Sequence, residues 1–221
     1  MINVLYEDNH LLCVEKPVNV PVMEDDSKDE DLLSLCKAYL KEKYNKPGNV
    51  YCGLVHRLDR PVGGVMVFAK TSKAASRLSE SVRNGSMHKE YMAVLDGIPK
   101  KSSDRLTDYL VKNTKTNTVT VTDREHGKFC ALSYETADVK DGKALVKISL
   151  ETGRSHQIRV QFASRHLPLM YDQRYHPHPS RGQIALWAYR LSFPHPVTKE
   201  TVVITKLPPH TKPWNLFEVE I

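Results

Sequence analysis

The 221-residue sequence lacks the features that mark membrane and secreted proteins. No run approaches the roughly 18 consecutive apolar residues of a membrane-spanning helix, and the opening MINVLYEDNHLL has no basic segment ahead of an apolar one, as a signal peptide would. The four cysteines are scattered and form no CxxC pair, which disfavours a metal knuckle or a redox motif. These absences predict a cytoplasmic protein with reduced thiols and no membrane partner.

Motifs that hold nucleotides or activate a serine are also missing. The sequence contains no GxxxxGK[ST], GxGxxG or GxSxG, and the paired carboxylates of an ordinary glycosidase are not evident. The spacing of His176 and His178 is interrupted by prolines, which disfavours zinc. The sequence therefore predicts no metal site and no cofactor site.

Basic residues are concentrated in two segments. The formal net charge is +6, from 32 Lys and Arg against 26 Asp and Glu. Residues 56–90 hold seven basic and three acidic side chains, and residues 152–190 hold six arginines against Asp172 alone. Because the rest of the chain is mildly acidic, the two segments favour a localised surface for a polyanion such as RNA or DNA. Charge alone favours the alternative that these are solvated surface groups.

The hydrophobic pattern predicts more strands than helices. Predicted strands are INVLYE, LLCVEK, GGVMVFAK and KEYMAVLDG, with hairpins joining FCALSYETADV to ALVKISLE across Asp141-Gly142, and QIALWAYRLSF to ETVVITKL. Predicted helices cover about 29–44, opened by a capping box of Ser27 and Glu30, the segment around 74–82 ended by Gly85, and SHQIRVQFASRH. This predicts an α+β protein with a largely antiparallel, twisted sheet, as one domain over residues 1–221.

The stretch HRLDRPVGG, residues 56–64, is the first candidate site. Asp59 lies between Arg57 and Arg60, just before a predicted buried strand, and the following proline and glycines favour a tight loop. Opposite charge nearby keeps a carboxylate ionised, which suits a nucleophile or electrostatic stabiliser better than a general acid. An ion pair that holds the loop, or a turn-capping aspartate, explains the same residues, so the local pattern leaves both interpretations open.

The second candidate is TGRSHQIRV, which places Arg154 and Arg159 five residues apart after a predicted strand. Five residues correspond to about 140° past one full turn, so the two arginines need not face the same target. One could contact phosphate while the other points inward, and an inward arginine requires a carboxylate, for which Asp59 is a plausible partner. The alternative is that both arginines lie on a solvated face.

Taken together, these stretches resemble the RluA family of pseudouridine synthases. The similarity rests on HRLDR before an apolar strand, on KEYMAVLDG, and on TGRSHQIRV, with LYEDNHLLCVEKPVNVPV similar to the family's first motif and LSFPHPVTKE to its last hairpin. The match spans nearly the whole chain in the family's order. It implies the pseudouridine synthase fold, isomerisation of a uridine in ribosomal or transfer RNA, and no metal or organic cofactor.

The resemblance also implies roles for individual residues. Asp59 matches the essential aspartate, which attacks the base or the sugar or abstracts a ribose proton; the sequence does not choose among these. Tyr91 matches the aromatic residue that packs against the uracil and can assist proton removal from C5, and Arg159 matches the inward arginine that pairs with the aspartate. The expected RNA-binding residues are Arg57, Arg60, Lys89, Arg154 and His156, and Arg57 is expected to fill the gap left by an extruded base.

The sequence departs from the family pattern in two places, and two alternative functions stay open. The family commonly has Asp-Thr-Ser where this sequence has Pro61, Val62 and Gly63. Many relatives carry an N-terminal S4-type RNA-binding domain, whereas this sequence starts at the first motif, so we expect a stand-alone catalytic domain. We also expect a monomer. A non-catalytic RNA-binding protein that keeps the fold, and a base-processing hydrolase, are the alternatives.

Overall fold

The computed structural model describes residues 2–220, which form two compact units. The first unit comprises the residues up to 89 together with 188–206, and the second comprises 90–187 together with the residues from 207 onwards. The strands are β1 (Asn3–Glu7), β2 (Leu11–Lys16), β3 (Gly53–Leu54), β4 (Gly63–Ala69), β5 (His88–Leu95), β6 (Ser103–Asn113), β7 (Thr118–Thr122), β8 (Lys128–Lys140), β9 (Lys143–Leu150), β10 (Leu186–Pro194) and β11 (Thr201–Thr205). The helices are α1 (Leu32–Lys43), α2 (Ser72–Arg83) and α3 (Gln157–Ala163), and a 3-10 turn covers Trp214–Leu216.

The first unit is a sheet with the neighbour order β1-β2-β4-β10, to which β11 adds through β10 and β3 through β4. The pairs β1/β2, β2/β4 and β10/β11 are antiparallel. All seven residues of β4 are buried, as expected for a short β-branched strand covered on both faces. The core on which α2 packs consists of Leu11, Cys13, Val65, Val67, Ala69, Ala74, Leu78, Met87, Leu191, Phe193 and Ile204.

Helix α2 begins and ends at local signals. The side chain of Thr71 accepts a hydrogen bond from the backbone N–H of Ala74 at 3.1 Å, which satisfies one of the unpaired donors of the first turn. Two residues after the helix, Gly85 adopts a φ of +78°, the left-handed conformation that commonly ends helices. The predicted helix and its glycine stop are both confirmed.

Gly64, at the second position of β4, allows a close backbone approach. Its φ is +130°, and a Cβ at this position would lie 2.2 Å from the carbonyl oxygen of Ala188. We expect Gly64→Ala to lower the free energy of unfolding by at least about 3 kcal/mol, because backbone strain adds to a clash that no side chain can relieve.

Urea denaturation measures this effect, with Gly85→Ala as the matched control. Gly85 also has a positive φ, but nothing lies within 4 Å of its hypothetical Cβ, so only the conformational cost of about 1 kcal/mol is expected there. Equal losses in the two variants would show that the contact with Ala188 is not what requires glycine.

The second unit is a sheet with the neighbour order β5-β9-β8-β6-β7, in which β6/β7, β6/β8 and β8/β9 are antiparallel. The β8–β9 hairpin turns at Asp141 and Gly142, whose φ angles of 50° and 72° are those of the tight turn that Asp-Gly predicts. Helix α3 contributes Val160 to a small core with Leu110, Val119 and Cys130, against which Tyr175 packs.

The α+β class and most predicted elements are confirmed, but the predicted start of α1 is wrong. The N-cap of α1 is Asp31, whose side chain accepts from the backbone N–H of Ser34 at 3.0 Å. Ser27, which the sequence suggests as the cap, instead accepts from the backbone N–H of Asp29 and belongs to a local turn. Carboxylate and hydroxyl caps are nearly interchangeable, so the sequence could not rank two candidates four residues apart.

Candidate active site

Asp59 is held at the start of a tight turn in the first unit. The backbone N–H of Val62 donates to the carbonyl oxygen of Asp59 at 2.9 Å, which places Arg60 and Pro61 at the centre of the turn. The side chain of Asp59 is partly exposed, whereas Val62 and the β4 strand that follows are buried. The turn therefore presents a carboxylate at the surface from a backbone anchored in the core.

Lys16 stabilises this turn through hydrogen bonds to its backbone carbonyl oxygens. Its side chain is fully buried at the end of β2, and its Nζ donates to the carbonyl oxygens of Pro17 at 2.9 Å, Arg60 at 2.9 Å and Val62 at 2.7 Å. Two of the three acceptors belong to the turn that follows Asp59. Burial lowers the pKa of Lys16 to about 7, opposed by the negative charge of Asp59.

These contacts give a physical account of the Pro-Val-Gly departure from the family pattern. Pro61 occupies the turn, and Val62 fills a core position with its side chain while its backbone carbonyl accepts from Lys16. Lys16 binds the turn through backbone carbonyl oxygens, and Pro61, Val62 and Gly63 contribute no polar side chain. The turn is therefore anchored without polar side chains at these positions.

The low pKa of Lys16 predicts a measurable titration. We expect its Cε resonance to titrate near pH 7 rather than near the ordinary 10.5, in ¹³C NMR spectra assigned by loss of the signal in Lys16→Met. Because the unfolded chain binds the proton more tightly between these two pH values, the contribution of Lys16 to the free energy of unfolding should rise with pH across that window.

Lys43 is the control for this measurement, because its hydrogen bond to Glu7 raises its pKa above the usual lysine value. The two lysines should therefore titrate on opposite sides of the ordinary value. Titration of Lys16 near pH 10 would contradict the claim that burial destabilises its charged form.

His56 anchors the beginning of the HRLDR segment. Its ring is buried, and Nε2 accepts a hydrogen bond from the backbone N–H of Val67 in β4 at 3.1 Å. Burial, and to a lesser extent the positive charge of Lys89, lowers the pKa of His56 to about 3, so the ring is neutral at physiological pH. Burial also lowers the pKa of Lys89, which has no ion pair among the residues that the structure describes.

The two arginines that flank Asp59 in sequence have different surroundings. Arg57 is exposed, and its Nη1 lies 3.8 Å from the Sδ of Met23. Arg60 is also exposed, and it pairs with Asp29 and, at 3.4 Å, with Asp25. An RNA phosphate that binds Arg60 would therefore compete with two carboxylates, whereas Arg57 carries no such pair in the described chain.

The second unit contains Tyr91 and Arg159. Tyr91 is buried on β5. Arg159 is buried on α3 and makes two hydrogen bonds to Asp172, from Nε to Oδ2 at 2.8 Å and from Nη2 to Oδ1 at 2.7 Å. Burial tends to raise the pKa of Asp172, but Arg159 and the backbone N–H groups of residues 174 and 175 outweigh this effect and lower it.

Arg159 is thus buried and paired with a carboxylate, and this partner, Asp172, is one that the sequence reasoning missed. A signal was available, because Asp172 is the only acidic residue among 152–190. The proposed pairing of Arg159 with Asp59 stays a prediction.

The remaining residues of the second motif lie around the start of α3. Arg154 is exposed, and its Nε donates to the carbonyl oxygen of Phe129 at 3.0 Å. His156 precedes α3 with a φ of 52°, a left-handed conformation that is uncommon for a residue other than glycine. Its Nδ1 lies 2.6 Å from the hydroxyl of Tyr175, whose ring also lies against the Arg159 guanidinium, 5.1 Å from Cζ to the ring centroid.

Two features are absent from residues 2–220: a cluster of metal-binding side chains and a helix that could span a membrane. Within residues 2–220, His, Cys, Asp and Glu form no group of three or more that could hold a metal ion. In the same part of the chain, no helix has both the length and the apolar character needed to cross a membrane.

Comparisons with known proteins agree with the sequence motifs. A family model described as RNA pseudouridylate synthase matches residues 10–164. The chain is 30% identical over 216 residues to ribosomal large subunit pseudouridine synthase D of Xanthomonas campestris pv. campestris, covering 91% of this chain and 64% of that protein. It is 32% identical over 182 residues to an uncharacterized RNA pseudouridine synthase of Zymomonas mobilis subsp. mobilis, covering 79% and 78%.

A solved structure shares the fold. The protein named Human RNA Pseudouridylate Synthase Domain Containing 4 aligns with a TM-score of 0.79 over 94% of this chain and 88% of that one, at 19% identity. At this identity the likeness shows the fold alone. The match of the family model covers more than half of the sequence and confirms the resemblance drawn from the motifs. The chain therefore belongs to the RNA pseudouridylate synthase family.

Proposed function

We propose that this protein is an RNA pseudouridine synthase that isomerises one or more uridines in ribosomal or transfer RNA. The main observation behind the proposal is that Asp59, in the HRLDR motif, lies on a turn whose backbone accepts two hydrogen bonds from the buried Lys16. The printed name of the Xanthomonas relative favours RNA of the large ribosomal subunit. Because the chain spans 64% of that relative, its own activity and substrate require direct measurement.

In the proposed reaction, the bond between N1 of uracil and C1′ of ribose breaks and a bond between C5 and C1′ forms. The proton on C5 is lost to solvent, and N1 gains one. Asp59 acts as the nucleophile or base, with three routes open: attack on the base, attack on the sugar, or abstraction of a ribose proton. Tyr91 packs against the uracil and assists removal of the C5 proton, and Arg159 supports the carboxylate, as the family motifs imply.

Binding requires that the target uridine leave its stack, at a cost of a few kcal/mol. We assign this step to Arg57, whose exposed guanidinium can fill the gap, and to stacking of the extruded base on Tyr91. Arg60, Lys89, Arg154 and His156 are the proposed phosphate and base contacts. The absence of an ion pair for Lys89 in the described chain supports this role, because a partly buried ammonium gains most from an incoming anion.

The test is incubation of the purified protein with RNA that carries tritium at uracil C5. A synthase releases tritium to solvent and leaves the strand intact, a non-catalytic RNA-binding protein releases none, and a base-processing hydrolase leaves an abasic site. Repeating the assay with EDTA, together with size-exclusion chromatography, tests the further proposals that the enzyme needs no metal and acts as a monomer. Failure to release tritium from large-subunit ribosomal RNA and from transfer RNA would refute the proposed function.

A further inference from the structure

Tyr175 joins three parts of the second unit through one side chain. Its hydroxyl accepts a hydrogen bond from the backbone N–H of Val119 in β7 at 2.9 Å and lies 2.6 Å from Nδ1 of His156. Its ring lies under the guanidinium of Arg159, with 5.1 Å between Cζ and the ring centroid. Tyr175 therefore contacts two side chains of the TGRSHQIRV motif and the backbone of the β6–β7 hairpin.

The hydroxyl contacts favour one proton arrangement on His156, the one in which the Tyr175 hydroxyl both accepts and donates a hydrogen bond. Val119 N–H can only donate, so the hydroxyl oxygen of Tyr175 accepts there and its own proton is available for another acceptor. The atom at hydrogen-bonding distance is Nδ1 of His156, and donation to it gives a continuous chain of hydrogen bonds from Val119 through Tyr175 to the imidazole. In a neutral ring that accepts at Nδ1, the proton resides on Nε2.

The backbone around Tyr175 is fixed by hydrogen bonds to Asp172 and, through the neighbouring Arg174, to the β6–β7 hairpin. Its backbone N–H donates to Oδ1 of Asp172 at 3.2 Å, the oxygen that also receives Nη2 of Arg159. The neighbouring Arg174 donates from Nη1 to the carbonyl oxygens of Thr116 at 3.2 Å and Asn117 at 2.6 Å, at the tip of the β6–β7 hairpin. The segment 172–175 is thus fixed both to the buried ion pair and to the hairpin.

We propose that Tyr175 is a positioning residue for the reaction, acting through His156 and Arg159. The hydroxyl holds His156 in the tautomer that carries its proton on Nε2, and the ring holds the guanidinium of Arg159 in its orientation on Asp172. His156 has a strained left-handed backbone conformation, which persists only where surrounding contacts hold the residue, and the Tyr175 hydroxyl is one such contact. The catalytic part of this inference rests on the proposed function, whereas the tautomer part does not.

The experiment compares Tyr175→Phe with Tyr109→Phe. Tyr109 lies on β6 of the same hairpin, with its ring against Phe129, and its hydroxyl has no hydrogen bond to the described residues. Long-range ¹H–¹⁵N spectra of histidine-labelled protein, assigned with His156→Asn, report the tautomer. We expect the Nε2–H form in the wild type and in Tyr109→Phe, and a mixture of tautomers in Tyr175→Phe.

The single-turnover rate of pseudouridine formation gives the second readout. We expect about a tenfold fall in Tyr175→Phe with RNA affinity within about threefold, because misplacement of a group that acts on bound substrate affects the rate more than binding. Tyr175→Leu, which also removes the ring under Arg159, should be slower still. An Nδ1–H tautomer in the wild type, an unchanged tautomer in Tyr175→Phe, or an unchanged rate would each overturn the proposal. If the wild type forms no pseudouridine, the proposed function fails, and the NMR result still decides whether Tyr175 fixes His156.

Discussion

Asp59→Asn is expected to abolish tritium release from RNA labelled at uracil C5. Asparagine has nearly the same shape as aspartate and fits the same turn, but its amide can act neither as a nucleophile nor as a base. RNA affinity should stay within about tenfold of the wild type, because the proposed phosphate contacts come from other residues. Single-turnover assays and filter binding measure the two quantities separately.

Asp25→Asn is the matched control in the same unit. Asp25 is exposed and pairs with Arg60 at 3.4 Å, so the substitution removes a nearby surface carboxylate and leaves the Asp59 carboxylate and the Lys16 hydrogen bonds in place. Its rate should be close to that of the wild type, since an exposed ion pair contributes little. Residual turnover above a few per cent in Asp59→Asn would remove Asp59 as the essential group.

Asp172→Asn is expected to destabilise the protein by about 3–5 kcal/mol, the cost of leaving a buried charge without its partner. Arg159 and Asp172 are both buried and share two hydrogen bonds. Asparagine keeps one acceptor but replaces the other with an amide nitrogen, which faces the guanidinium as a second donor. The shift of the urea midpoint, with the slope of the transition checked for change, measures the loss.

Asp104→Asn is the control for this substitution. Asp104 pairs with Lys101 at 3.0 Å on the surface of the same unit, so its loss should cost within about 1 kcal/mol. Similar losses of unfolding free energy in the two variants would contradict the claim that burial makes the Arg159–Asp172 pair contribute more to stability than a surface pair.

Elements with strong local signals could be predicted from the sequence. The apolar, β-branched run of β4 leaves little choice but a buried strand, and Asp141-Gly142 supplies the two positive φ angles that a tight hairpin needs. Helix α2 has an apolar face, a threonine cap and a terminal glycine that agree with one another. Where several local preferences point the same way, the fold follows them.

The candidate site could be predicted only in part, because its supporting contacts are distant in sequence. The motifs point to Asp59, but Lys16 donates to the carbonyl oxygens of Arg60 and Val62, which lie 44 and 46 positions further along the chain. No spacing rule predicts such contacts. Tyr175 and Val119 are 56 positions apart. Burial and hydrogen-bond partners of this kind depend on how the strands and loops pack, which hydrophobic periodicity does not specify.

The measurement that tests the function most directly is nucleoside analysis of an unmodified RNA transcript after incubation with the purified protein. Digestion and chromatography with mass detection separate uridine from its isomer, which has the same mass but a carbon–carbon glycosidic bond. We predict that pseudouridine appears in an uncleaved strand, in an amount equal to the C5 tritium released, and that the Asp59→Asn protein forms none. Undiminished uridine with tightly bound RNA, or an abasic strand with free uracil, would contradict the assignment as a pseudouridine synthase.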